Sequence, residues 1–219
     1  MKSFLENLPS QLFVTGTGTD VGKSYATGWL AREIMRAGLS VITQKLIQTG
    51  NRDFSEDIEV HRKIMGIPYQ TVDKLHITAP LILSYPCSPD LAAKIDNVSL
   101  DFSVADEATG QLTSVFSHVL IEGAGGIMVP LKGDWLQIDY VKERNLPAVV
   151  VTNGQLGSIS HTLLTLLALR EAGIRIYAVV YNPYFDKDKT IAADTRNYLK
   201  DYLSRHYQDT FYIEMPETL

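Results

Sequence analysis

Cysteine is almost missing from this sequence: Cys87 is the single one among 219 residues. One thiol can neither close a disulfide within the sequence nor build a thiolate metal site, and it suits a reducing compartment. Its expected role is a small apolar filler. Excess basic charge is lacking too, since 20 Lys and Arg stand against 25 Asp and Glu, a net charge of −5, with no basic stripe. Nucleic acid, which needs such a stripe, is not an expected partner. Long apolar runs are also absent. Residues 1–9 carry Glu6 and Asn7 where a secretory signal would be apolar, and the apolar-rich stretch 159–172 is broken by Ser160, His161, Thr162, Thr165 and Arg170. Neither reads as a targeting or membrane-spanning segment, so no membrane association and a cytoplasmic location are expected. Repeats, low-complexity tracts and linkers are missing, and 219 residues at 45% hydrophobic content suit a single domain, 1–219.

What is present is an alternation of short β-branched runs with helical patterns, which predicts a parallel sheet covered by helices on both faces. The runs predict strands at 11–15, 39–45, 118–122, 148–152 and 176–181, with a weaker one at 210–213. Helices are expected over 23–37 and 158–172, followed by Gly38 and Gly173 as left-handed caps, and more weakly over 55–65, 104–116, 135–144 and 190–205. Pro80, Pro86 and Pro89 make 78–98 read as an irregular excursion.

The first strand runs into Gly16-Thr17-Gly18-Thr19-Asp20-Val21-Gly22-Lys23-Ser24, and a helical pattern follows at once. Strand, Gly-rich loop and helix form the context of a phosphate-binding loop. Its backbone N–H groups and helix N-terminus surround phosphate oxygens, Lys23 reaches the terminal phosphates, and the Ser24 hydroxyl coordinates magnesium. A nucleoside triphosphate with Mg2+ is therefore expected, on a three-layer α/β/α fold of the P-loop NTPase kind with a mostly parallel central sheet. The loop is one residue longer than usual, because Thr17 stands where the first glycine belongs. An Asn-Lys-x-Asp base-reading segment, as in signalling GTPases, is absent.

A Mg–triphosphate site needs further hard oxygen ligands. Glu122 ends an apolar strand and enters Gly123-Ala124-Gly125-Gly126, at the sheet edge where the phosphate loop also lies. Among Asp53, Glu56 and Asp57 the sequence does not choose, since each is equally suited to opening a helix. Lys45 closes the second strand, where it would lie beside the nucleotide and offset charge on a phosphoryl group.

With these residues together, the sequence resembles the dethiobiotin synthetase family. The resemblance rests on Phe13 through Ser24, Lys45 through Gly50, the Asp57 region, Tyr85-Pro86-Cys87-Ser88-Pro89, Ile121 through Gly126, Leu156 through His161, and Val180-Tyr181-Asn182, in the family's order. It implies a ligase. One amine of diaminopelargonic acid takes up CO2 as a carbamate, whose oxygen attacks the γ-phosphorus of ATP, and the second amine then closes the cyclic urea. It also implies roles. Lys45, Lys23 and Thr19 would be catalytic, and Ser24, Asp57 and Glu122 the magnesium set. The nucleotide would touch Asp20, Val21, Gly22, Lys23, Ser24, Tyr25, Asp57, Glu122, Gly123, Ala124, Gly125, Asn182, Pro183 and Pro216. Thr49 would contact the diamine. In the homodimer that the resemblance implies, Gly157, Ser158 and Ser160 would hold the substrate carboxylate bound by the partner subunit.

The sequence departs from the family pattern at three places. Leu46 replaces a proline, so the loop carrying Thr49 is expected to differ in shape, and Ser160 replaces an asparagine. The sequence ends at Leu219, where the resemblance implies a further closing helix, and looser base recognition is expected. His61, His76, His118, His161 and His206 are too scattered for a metal site and read as satisfied surface or core groups, with His161 at a helix start. Tyr198, Tyr202 and Tyr207 read as packing for a terminal helix. Two other readings remain in view. A regulatory ATPase switch that dimerises and binds a protein partner would have no need of Lys45 and Thr49 at a strand end. A glutaminase-coupled synthase would need a second domain.

Overall fold

The computed structural model describes residues 2–218; Met1 and Leu219, the ends of the expected domain, lie outside the described residues. The first half comprises α1 (Lys2–Leu5), β1 (Gln11–Gly16), α2 (Lys23–Arg36), β2 (Val41–Lys45), β3 (Gln48–Thr49), α3 (Glu56–Met65), α4 (Thr71–Lys74), β4 (Ile82–Leu83), α5 (Pro89–Asp96) and α6 (Ser103–Val115). The second comprises β5 (His118–Gly126), β6 (Pro130–Lys132), β7 (Trp135–Leu136), α7 (Gln137–Glu143), β8 (Ala148–Asn153), α8 (Ser158–Glu171), β9 (Ile176–Asn182), a 3-10 turn (Pro183–Phe185), α9 (Lys189–His206) and β10 (Phe211–Glu214).

Six strands form one sheet in the order β10-β9-β8-β1-β5-β2, and every pairing in it is parallel. Alternate side chains of β1 face opposite layers. Leu12 and Val14 meet Trp29, Leu30 and Ile34 of α2 on one side, whereas Phe13 joins Leu112 of α6, Tyr140 of α7 and Leu166 of α8 on the other. Burial on both faces is why these strands read as unbroken apolar runs in the sequence. Because β1 lies in the middle, the loops leaving β1, β2, β5 and β9 gather along one carboxyl edge.

The expected strands and helices form, with shifted ends. The strand expected at 39–45 begins at Val41, and the helix expected over 135–144 is preceded by the two-residue strand β7. The excursion at 78–98 is corrected most: it contains β4, paired with β3, and the eight-residue helix α5. Pro89 misled the reading, because it follows Ser88 at the first helical position, where a missing N–H costs nothing.

Candidate active site

Between β1 and α2 the loop is held by hydrogen bonds to β8 and to the end of β9. Thr17 N–H donates to Val151 O at 3.0 Å, and Asn182 Nδ2 donates to Val21 O at 3.1 Å. Gly22 has φ +87°, the left-handed region that favours glycine, and a Cβ there would meet Asn182 Nδ2 at 2.2 Å and displace that amide. No side chain caps α2, which leaves its first N–H groups to face the cleft. Lys23 folds back over the loop and donates to Gly18 O at 2.9 Å. Burial, with Lys45 adding to it against the pull of Glu122, lowers the Lys23 ammonium to about 8.

Beside it, two carboxylates and a lysine converge from three elements. Ser24 Oγ, from α2, donates to Asp57 Oδ1 at 2.5 Å and lies 3.0 Å from Glu122 Oε1. Lys45 Nζ, at the end of β2, is 2.6 Å from Asp57 Oδ2 and 2.8 Å from Glu122 Oε1. Burial works against the charge of Glu122, but Lys45 and a bond from His61 hold it well below the usual carboxylate range. Burial likewise opposes the charge on Lys45, and Glu122 and Asp57 more than offset it, raising its affinity for the proton.

Two features brace this cluster. Leu46 N–H donates to Glu122 O at 2.9 Å, extending the β2–β5 ladder by one bond that a proline at 46 could not make. The loop after Glu122 is held by Gln137, which accepts from Ala124 N–H at 2.8 Å and donates to Gly126 O at 3.1 Å. A Cβ on Gly123 would strike Gln137 Oε1 at 2.5 Å, so close backbone approach is what that glycine provides.

These groups line a cleft of about 1140 Å³. Of the residues expected at the nucleotide, Asp20, Gly22, Lys23, Ser24, Tyr25, Asp57, Glu122, Ala124, Gly125, Asn182 and Pro216 line it, as do Thr19, Lys45 and Thr49. Val21, Gly123 and Pro183 are not among the residues that line it. The Asn182 amide is partly engaged, because its Oδ1 also accepts from Tyr184 N–H at 3.1 Å. Gly157, Ser158 and Ser160 are outside the cleft, at the start of α8. There Gly157 gives no side-chain cap, and Ser158 Oγ is buried with no hydrogen-bond partner among the described residues. Leu156 beside them is 89% exposed. Sequence reasoning left His61 aside; it is fully buried against Glu122, with Nε2 2.7 Å from Oε2. A lone histidine carries no signal of a partner that lies 61 residues away.

Among the described residues no three His, Cys, Asp or Glu side chains gather to hold a metal unaided. The cluster instead offers one hydroxyl and two carboxylates, all hard oxygen donors at the start of α2. That set suits a cation completing its shell with phosphate oxygens and water, as magnesium does.

An AAA domain family model matches residues 10–206. The chain is 43% identical over 200 residues to the ATP-dependent dethiobiotin synthetase BioD 2 of Pasteurella multocida, covering 91% of this chain and 94% of the relative. It is 43% identical over 195 residues to the ATP-dependent dethiobiotin synthetase BioD of Chlorobaculum tepidum, covering 89% and 82%. Among solved structures, the signal recognition particle receptor FtsY from Elizabethkingia anophelis in complex with GDP superposes with a TM-score of 0.53 at 16% identity, over 99% of this chain and 64% of that one. The chimerical protein CapA2B2 gives 0.52 at 15% identity, over 83% and 80%. These two likenesses show the fold alone, whereas sequence identity at the level of the synthetases, spread over nine-tenths of the chain, shows kinship: the chain belongs to the ATP-dependent dethiobiotin synthetase family.

Proposed function

We propose that the chain closes the cyclic urea of dethiobiotin on diaminopelargonic acid, with CO2 and ATP as co-substrates and ADP and phosphate as products. The observation that carries this reading is the meeting of Lys23, Lys45, Asp57 and Glu122 above an uncapped helix N-terminus. Phosphoryl transfer to a carbamate asks little covalent chemistry of a protein. It asks for fixed donors around charge that spreads as the phosphoryl group moves.

In this reading one substrate amine adds to CO2, and the carbamate oxygen displaces ADP from the γ-phosphorus. The second amine then attacks the carbonyl carbon of the mixed anhydride and releases phosphate. Lys45 holds the carbamate oxygen and the transferring group, with its charge secured by two carboxylates. Lys23 and the N–H groups of α2 hold the β- and γ-phosphates, while Thr19 closes over them. Thr49 contacts the diamine. Ser24, Asp57 and Glu122 would hold magnesium, which when bound offsets phosphate charge. Asn182 and Pro216 flank the base, and Tyr25 is the next residue of the nucleotide cleft after Ser24.

The reading includes a homodimer. Support comes from Leu164 and Leu167 on α8, which with Leu156 leave an exposed apolar strip beside the uncapped helix start. A partner laid on this strip would bring its bound substrate carboxylate to Gly157, Ser158 and Ser160. Among the described residues no helix is long and apolar enough to cross a membrane; the cytoplasm is the compartment that the lone Cys87 favours. The test is incubation with diaminopelargonic acid, MgATP and 13C-bicarbonate: dethiobiotin carrying one heavy carbon is expected, and its absence while ATP still binds would refute the reading.

A further inference from the structure

Behind Glu122 runs a chain of buried polar groups that takes no direct part in the ligase chemistry. Asp73 grips Arg62 twice, Nε to Oδ2 at 2.8 Å and Nη2 to Oδ1 at 2.7 Å, and accepts from Thr78 Oγ1 and Gln70 N–H as well. Arg62 Nη1 donates to Thr43 Oγ1 at 2.7 Å. Thr43 Oγ1 is 3.0 Å from His61 Nδ1, and His61 Nε2 is 2.7 Å from Glu122 Oε2. Asp73, Arg62, Thr43, His61 and Glu122 are all buried.

The direction of each bond follows from what each group can do. A guanidinium only donates, so the Thr43 hydroxyl must accept from it, and its own hydrogen is then free for His61 Nδ1. An ionised carboxylate only accepts, so Nε2 must carry the ring hydrogen. Nε2 is thereby fixed as the donor to Glu122, with Nδ1 hydrogen-bonded to Thr43. On the far side of Glu122, Ser24 and Lys45 both address Oε1.

We infer that His61, supported by Thr43 and Arg62, is a positioning residue that engages Oε2 of Glu122 and presents Oε1 alone to a divalent cation. A buried chain of this kind is weak as a stability device, since well-packed apolar side chains would serve the core as well or better. Its use is to stop a carboxylate from rotating, and outer hydrogen bonds to metal ligands are commonly worth 10- to 100-fold in metal affinity, on the order of what is predicted here. The inference rests on Glu122 being a cation ligand.

The test is Mn2+ binding to the full chain in the presence of ADP, followed by electron paramagnetic resonance of the free ion. His61→Ala should bind Mn2+ roughly 10- to 100-fold more weakly than the unaltered chain. His61→Gln, whose amide can still donate to Oε2, should recover most of the loss, and ADP affinity in EDTA should be unchanged throughout. Unaltered Mn2+ affinity in His61→Ala, or equal losses in His61→Ala and His61→Gln, overturns the inference. Should His61→Ala fail to fold, Thr43→Val carries the test, with weakened Mn2+ binding supporting the inference and unchanged binding overturning it. Glu122→Gln in parallel separates the premises: if it too binds Mn2+ normally, the ligand role of Glu122 falls, whereas if only it is weakened, the positioning role alone falls.

Discussion

Replacing Lys45 by Met keeps the length of the side chain and removes its charge from between two carboxylates. The Nζ–Oε1 separation to Glu122 is 2.8 Å, and at an effective dielectric of about 20 the attraction is about 6 kcal/mol. Desolvation of both groups offsets much of that, and removing one partner of a buried pair costs about 3–5 kcal/mol net. Glu122 keeps its bonds to His61 and Ser24, which places Lys45→Met at the low end, about 3 kcal/mol. For a chain of this size that lowers Tm by roughly 6–12 °C in calorimetry without ligands. Added Mg2+ should raise the Tm of the variant more than that of the unaltered protein, because the freed oxygens are those the cation would use. Turnover should fall at least about 100-fold, the usual loss of a donor aimed at transition-state charge, while nucleotide affinity stays nearly intact. A Tm within about 2 °C of the original, or substantial residual turnover, would refute the role given to Lys45.

The folded pKa of Lys23 lies below its unfolded value, at about 8 against 10.5, so between these the unfolded chain binds the extra proton and stability rises with pH. From pH 8 to about 9.5 the gain over Lys23→Met should be about 1.5 kcal/mol in urea melts, and parallel pH profiles would contradict it. Gly22→Ala forces a side chain into positive φ and against Asn182; a loss of about 1–3 kcal/mol and of ATP binding is expected by calorimetry and fluorescence titration. Ser24→Ala removes the hydroxyl shared by Asp57 and Glu122 and should raise the magnesium requirement about tenfold or more, with Ser24→Thr close to normal; an unchanged metal titration would remove Ser24 from the cation site.

The sheet was legible because buried parallel strands carry continuous apolar runs, as Val149-Val150-Val151 does in β8. Strand ends were less so. β5 runs on to Gly126 past Glu122, since its closing glycines have no apolar side chains to announce a strand. Helix α5 was hidden by Pro89, a residue that breaks helices inside but starts them at the first position. The phosphate loop, Lys45 and Glu122 could be read because each stands beside its own strand. Residue types alone do not tell Asp57 from Asp53 and Glu56; the family resemblance singles it out, and the fold puts it against Lys45. The chain from Asp73 to His61 was invisible for a plainer reason: its members lie on α4, α3 and β2, and only packing unites them.

The most direct measurement is phosphate release from MgATP by the purified protein, with diaminopelargonic acid and bicarbonate added singly and together. Release that requires both, with one phosphate formed per dethiobiotin, is the predicted result. Hydrolysis indifferent to the diamine, or no release with both present, would contradict the account.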